Sequence, residues 1–541
     1  MQDALDQIAP VTVTQVALTP ATACENDFAP HNLDFATGTR LRTVNTYESN
    51  GAGVAVNDLD GDGDLDMVFA SVDGEAAILW NQGDLKFTTT TLADTYTRGV
   101  NIVDVNGDGY PDIVFTHRSL ESIAYWRNQG PTAPGPRFVR EALAGVTGYA
   151  YAMAWADLNG DGALDLVTGS YNIDLQSHGV KEPEFSEKAG IVYYEHQGNK
   201  FIPQLLAQDA QALSIGLVDL NDDGALDIWV ANDFALQDQI WLYNRQSGLQ
   251  SRQPTWQPAK PFAQTSHSTM SIDWGDLAND GNLAFFTTDM NPYDISPSNM
   301  ARWLPMMNTM EKDAKHEPDD PQIMANVLQV RGANGAWRNE AAQWGIDATG
   351  WSWAGKFGDL DNDGYLDLYV VNGMIAQNLF GHLNNGELVE ENQAFHNQGN
   401  GMFAPAPAWN LGSTRSGRGM VMADLNDDGQ LDIVVNNMRN SAQLFENRLC
   451  GGSSLEVTLD WPATHNPAAI GAQLELHTNR GVYRRDVRDS GGYLSGDPTR
   501  VHFGFPQATT LQTLHIRWPD GMESAIEQPS AQTHFRIIRK K

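Results

Sequence analysis

The chain has 541 residues, 68 acidic against 34 basic, and a formal net charge of -34. That length exceeds one ordinary core and calls for a large repeat fold or several domains. The charge argues against nucleic acid or an anionic membrane surface as partner, because both demand basic patches.

No run approaches the roughly 18–20 apolar residues of a membrane span, so no membrane insertion is expected. The start, Met1-Gln2-Asp3, has neither the basic nor the apolar segment of a signal peptide. The first 33 residues read as an N-terminal extension with Cys24, one of only two cysteines. A strand candidate follows at 40–46.

The first repeat then opens on Gly53-Val54-Ala55-Val56 and reaches Asp58-Leu59-Asp60-Gly61-Asp62-Gly63-Asp64-Leu65-Asp66. Calcium takes six to eight hard oxygens at roughly 2.3–2.6 Å. Carboxylates at positions 1, 3, 5 and 9 of this loop (Asp58, Asp60, Asp62, Asp66) supply most of them. Gly63 at position 6 permits the sharp turn that brings in the carbonyl of Asp64. A solvated acidic turn would need no such spacing.

The frame recurs down the chain. The second copy is Asp104, Asn106, Asp108 and Asp112 with the carbonyl of Tyr110, and the third is Asp157, Asn159, Asp161 and Asp165 with Ala163. The fourth is Asp219, Asn221, Asp223 and Asp227 with Ala225. A further copy at Asp276 has Ala278 and Ala284 where side-chain ligands belong, and reads as a turn kept for its shape. Intact copies return as Asp359, Asp361, Asp363 and Asp367 with Tyr365, and as Asp424, Asn426, Asp428 and Asp432 with Gln430. Asn at position 3 keeps a carbonyl ligand while reducing the charge in one loop. About six calcium sites are expected.

The loops begin at 58, 104, 157, 219, 276, 359 and 424, and such spacing fits one four-stranded propeller blade per repeat. Short β-rich runs flank each loop, such as Met67-Val68-Phe69-Ala70 and Ala77-Ile78-Leu79-Trp80. Their aromatics read as packing between blades. The expected fold is all-β: a seven-bladed β-propeller over 34–450, closed by strand 40–46, with Cys24 and Cys450 flanking the seam as a disulfide or as two buried thiols. An insertion at 287–348 holds Met290, Met300, Met306, Met307, Met310 and Met324 beside Trp303 and His316. Such residues are usually packing material, and copper ligation is the sharper alternative. A helix is expected within 305–315. After Cys450-Gly-Gly-Ser-Ser, residues 451–541 alternate as strands at 455–459, 473–478, 482–487, 501–503 and 511–518, a small β-sandwich or barrel.

The Asp-rich units resemble FG-GAP/VCBS repeats, the calcium-binding blades also found in integrin α-subunit propellers. The C-terminal segment resembles the ASPIC/UnbV domain through Ile470-Gly471-Ala472, Gly492-Tyr493-Leu494-Ser495, Val501-His502-Phe503-Gly504 and Arg517-Trp518-Pro519-Asp520-Gly521. The combination is similar to cartilage-acidic-protein-1-like proteins, and it implies a secreted or periplasmic protein whose signal is absent from this sequence. A cytoplasmic location is the alternative. The resemblance implies no common activity.

Three readings of function follow. The first is an interaction module for a protein or glycan ligand. The second is an enzyme of lyase, cyclase or hydrolase type with an axial pocket for a small-molecule substrate and an additional metal. Its candidate groups are His267, Asp289, His316, His382 and His396, none in a recognisable catalytic motif. The third is a purely structural component. Because an intact loop uses its carboxylates as ligands, Asp361→Ala is expected to lower the melting temperature more than Ala278→Asp raises it, a ranking that melts of both variants check.

Overall fold

The computed structural model describes residues 8–19, 24–118, 121–132, 135, 137–234, 236–243, 255–313 and 320–540. The chain is all-β in architecture. Seven sheets among the described residues share one plan, each carrying an Asp loop, intact or damaged, between its first two strands. The first sheet runs Val54–Asn57, Asp66–Phe69, Glu75–Asn81 and Phe87–Thr95, all antiparallel neighbours. Its first two strands are buried on both faces, whereas Phe87–Thr95 is exposed at most positions. That gradient runs from apolar inner strands to polar outer ones.

The innermost strands touch in a closed cycle. Val54–Asn57 meets Thr97–Val103, which meets Ala152–Ala156, then Ala212–Val218, Ser271–Gly275, Gly350–Gly358 and Gly417–Ala423, which returns to Val54–Asn57. Aromatics fill the space between consecutive sheets, as Tyr193 and Trp256 do with ring centroids 5.3 Å apart.

The closing strand is Phe28–Ala36, not 40–46. It pairs antiparallel with Ser441–Asn447, and it straddles residue 33, where the sequence placed a border. Pro30 disguised it, yet Pro is tolerated on an outer strand because no further strand needs its missing N–H. Residues 40–46 are diverted into a short helix, Thr46–Ser49, whose Glu48 carboxylate accepts the Asn45 N–H. A disulfide joins Cys24 and Cys450 beside this seam.

The insertion is also smaller than expected. Val327–Arg331 and Trp337–Asn339 are the outer strands of the fifth sheet, so only about 289–326 is added to it. Within it, Met290–Asn291 pairs with the sixth sheet's first strand, and a helix spans Pro297–Asp313. Met290 and Met306 are buried in the same apolar cluster as Trp303 and Trp351, the packing role. The side chain of Met310 and all of His316 lie outside the described residues.

The C-terminal segment forms two four-stranded sheets. One joins Val482–Asp486, Gln473–Thr478, Leu511–Arg517 and Glu523–Glu527; the other joins Val501–Phe505, Ser453–Asp460, Thr533–Arg539 and, from the other end of the chain, Val11–Ala17. The sequence reading missed Glu523–Glu527, Thr533–Arg539 and Val11–Ala17.

This segment is seated on the ring, and its connection 489–497 enters the axis. Asp489 accepts from Asn101 Nδ2 and Trp155 N, and Gly492 bonds Ser214 Oγ and Ile272 O. Gly496 N donates to Val54 O, Lys356 Nζ pairs with Asp497, and Ser495 Oγ packs against Gly419. Innermost strands of all seven sheets are thereby engaged. At the tip, Tyr493 donates its hydroxyl to Asn50 O and packs edge-on against Trp353. Gly53 makes the fit possible, since a Cβ there would stand 1.6 Å from Leu494 O. Gly53→Ala is therefore expected to lower stability by about 1–3 kcal/mol or more through overpacking. Denaturant melts and faster protease release of 451–541 would check it.

Candidate metal centres

Each intact Asp loop is tied down by the same hydrogen bonds. The position-1 carboxylate caps the turn: Asp58 accepts from Gly61 N and Gly63 N, and Asp359 from Asp363 N and Gly364 N. Position 3 accepts from the position-5 N–H, as Asn106 does from Asp108 at 2.9 Å, and position 5 accepts from the position-7 N–H, as Asp108 does from Tyr110. The position-9 carboxylate bonds the position-2 N–H and an N–H of the third strand. Thus Asp66 accepts from Leu59 and Asn81, and Asp432 from Leu425 and Asn447.

That third-strand asparagine stitches repeats together. The side chain of Asn128 donates to Leu59 O of the preceding loop, Asn397 to Leu277 O, Asn447 to Leu360 O, and Asn81 to Leu425 O across the seam. These bonds join the loops from Asp276 through Asp359 and Asp424 to Asp58 and Asp104 as a belt on one face of the ring, whereas His196 and Tyr243 stand at that position in the Asp157 and Asp219 repeats. Sequence spacing had predicted the loops but not the belt.

The structure brings Asp58, Asp60 and Asp62 together, and likewise Asp359, Asp361 and Asp367, with ligand atoms of each group within 4.8 Å of one another. In the loops with Asn at position 3, the amide nitrogen closes onto position 5: Asn106 on Asp108, Asn159 on Asp161, Asn221 on Asp223, Asn426 on Asp428. A third acidic group joins Asp424 and Asp427 to Glu456 of the C-terminal segment.

Burial dominates the electrostatics. It raises the Asp66 and Asp112 carboxyls to about 8, Asp227 to about 7, and Asp104 and Asp157 to about 6. Asp165, Asp359, Asp367, Asp424 and Asp432 are pushed well above the carboxylate range by the same cause. Carboxylates buried side by side resist ionisation unless a cation compensates them.

The damaged loop keeps its shape: Asp276 still accepts from Asp280 N and Gly281 N, and Asp280 from Asn282 N. Its compensation comes from the C-terminal segment, with Arg485 facing Asp276 and Asp359, and Arg484 donating to Gly281 O. The same segment reaches every other loop. Arg500 bonds Gly63 O and Asp427, His465 bonds Asn106 O and Gly162 O, and Arg517 lies against Gly224. Gly452 N donates to Asp361 O, and His502 bonds Gly429 O.

Among the groups considered for catalysis, Asp289 and His267 are neighbours, while His382 and His396 lie elsewhere. Asp289 is buried and accepts the backbone N–H of His267 and Ser268, and burial pushes its carboxyl up and the His267 imidazole down. His382 bonds Arg302 O. His396 lies against Asp361 and Asp363, a placement that no sequence motif signalled.

Family models match in two places. The model described as "ASPIC and UnbV" matches residues 462–541, and the "FG-GAP-like repeat" matches 58–115, 104–168 and 381–435. The chain thus combines FG-GAP-like repeats, which suggest a β-propeller, with a C-terminal ASPIC/UnbV domain. These modules suggest an extracellular-type interaction or repeat protein. The disulfide and the repeats agree with an extracellular or periplasmic location. No helix among the described residues is long and apolar enough to cross a membrane. No curated protein matches the chain. Among solved structures, a crystal structure of BBS1N in complex with ARL6DN, soaked with lead, is similar at 11% identity and a TM-score of 0.40, covering 79% of this chain and 98% of that chain. A second crystal of that complex, soaked with mercury, gives 11% identity and a TM-score of 0.39, covering 76% and 98%.

The raised carboxyl pKa values make a pH test. Without metal, the folded state holds protons that the unfolded chain releases near pH 4. That contribution to stability is complete below about pH 4 and is lost as pH rises through about 8 for Asp66 and Asp112. With metal bound, protons compete for the ligands and acid destabilises. In chelator, stability is expected to fall from pH 5 to pH 8 by about 1.4 kcal/mol per pH unit for each net proton. In millimolar calcium it is expected to rise over that interval. Calorimetry at both pH values checks the opposed slopes.

Proposed function

We propose that the ring is a seven-bladed β-propeller whose six intact loops each bind a divalent cation, calcium predominating, and that the protein works outside the cytoplasm as an interaction module for a protein or glycan. Residues 28–450 make the propeller in this reading, and 11–17 with 451–541 the second unit. The donor set supports calcium: every intact loop offers oxygen at positions 1, 3, 5 and 9, and the position-7 carbonyls of Asp64, Tyr110, Ala163, Ala225, Tyr365 and Gln430 would complete it. The ion would supply the positive charge that these buried carboxylates lack.

The observation that carries this reading is the C-terminal segment seated over all seven loops, with 489–497 in the axis. Calcium then acts as mortar between two bodies as well as within each blade. That face is covered, so a partner is expected at the other one. There the segments 171–190, 289–313, 320–326 and 373–392 extend beyond the sheets, including the helices Asn172–Ser177, Glu184–Lys188, Pro297–Asp313 and Gln377–Phe380.

An ion that binds the native but not the unfolded chain stabilises by about 2.7 kcal/mol at a hundredfold excess over its Kd. Six such sites predict that chelation lowers the melting temperature by roughly 10 °C or more and speeds proteolytic release of 451–541. An unchanged melt contradicts calcium as mortar. For the partner, a glycan array probed with the intact chain, and with the exposed Tyr293, Ile295 and Leu304 each replaced by Ser, tests the exposed face. Lost binding at an unchanged melting temperature supports it; binding that survives the replacement moves the site elsewhere.

A further inference from the structure

In each intact repeat the third strand runs past the loop and bonds it. The N–H that bonds the position-9 carboxylate belongs to Asn81, Asn128, His196, Tyr243, Asn397 and Asn447. The residues just before these are Trp80, Arg127, Glu195, Leu242, His396 and Glu446. Only the Asp359 loop receives an imidazole at that position.

The geometry there is that of a donor set. His396 Nε2 lies 3.3 Å from Asp361 Oδ2 and 3.3 Å from Asp363 Oδ2. The ligand atoms of these three residues fall within 4.8 Å of one another, and Asp361 belongs equally to the group with Asp359 and Asp367. The imidazole is braced edge-on by Trp409, ring centroids 5.7 Å apart. On the buried side, Asn362 is 4% exposed and its Oδ1 has no hydrogen-bond partner. That oxygen and Asp359 Oδ2 converge on Gly504, where a Cβ would stand 2.5 and 2.4 Å from them. An orphaned acceptor beside a buried carboxylate is a group that wants a cation or a donor.

Calcium selects oxygen ligands, whereas imidazole suits zinc, iron, nickel and copper, and carboxylates suit manganese as well as calcium. We propose that the Asp359 loop, alone among the six, is a mixed oxygen–nitrogen site that holds a divalent transition ion of the manganese-to-zinc series, with His396 as ligand beside Asp359, Asp361, Asp363 and Asp367. This rests on the reading of the loops as metal sites. The ion would lie at the contact between ring and C-terminal segment, where Gly452 N donates to Asp361 O.

Mn2+ is the probe. The full chain is stripped with chelator, equilibrated in excess Ca2+ with Mn2+ added, desalted, and analysed for both metals and by electron paramagnetic resonance. About one Mn2+ and about five Ca2+ per chain are expected, with a nitrogen coupling from imidazole in the pulsed spectrum. His396→Leu uses the residue type that stands at this position in the Asp219 repeat. It is expected to bind Mn2+ at least about tenfold more weakly, as loss of a metal-shell partner does, and to carry about six Ca2+. Six Ca2+ and no retained Mn2+ in the unaltered chain overturns the proposal. So does Mn2+ without a nitrogen coupling, or Mn2+ retained equally by His396→Leu. Absence of calcium from every loop would instead refute the parent reading, because the same sample counts both metals.

Discussion

The constraint on which the structure depends is the burial of carboxylates that lie close together. Asp359 and Asp424 are each 1% exposed, and Asp112, Asp165, Asp227 and Asp367 are 0% exposed. No ordinary fold tolerates that many buried acids unpaired. Backbone N–H groups satisfy some of their lone pairs, and the loops are shaped by those bonds. The remaining negative charge is what the proposed ions would neutralise. The Arg485 guanidinium from the C-terminal segment faces both Asp276 in the damaged loop and Asp359 in the neighbouring intact one.

Covering the loops is what ties the two halves of the chain together. The C-terminal segment spreads basic and polar groups over every loop, and its connection 489–497 fills the axis that a ring of seven sheets leaves open. The chain ends cooperate in this: Phe28–Ala36 closes the ring, while Val11–Ala17 completes a sheet of the C-terminal segment. The Cys24–Cys450 disulfide lies between these two tasks. Closure, capping and axial filling are consequently one cooperative arrangement.

The repeat loops were legible in the sequence because their chemistry demands fixed residue types at fixed spacing. The flanking inner strands were legible because buried strands are continuously apolar. What escaped had no local signature. Phe28–Ala36 contains Pro30 and a polar middle, and Val327–Arg331 lies in a stretch whose methionines drew attention to copper. Arg484 and Arg485 are neighbours in the strand Val482–Asp486 and Arg500 just precedes Val501–Phe505, where nothing local marks them as more than surface charges; only the docking of the segment turns them toward the loops. His396 looked like a lone histidine, since Asp361 is 35 positions away and the strand pairing of the sixth sheet brings them together. The interdomain belt is a product of tertiary arrangement, which no window of sequence contains.

The most direct measurement is the number of divalent ions carried by the purified chain, counted by elemental analysis after gentle desalting. Close to six per chain, calcium predominating, is expected if the six complete loops are the metal sites and the Asp276 loop relies on Arg485. A chain that carries no ions while remaining folded and fully stable would contradict it.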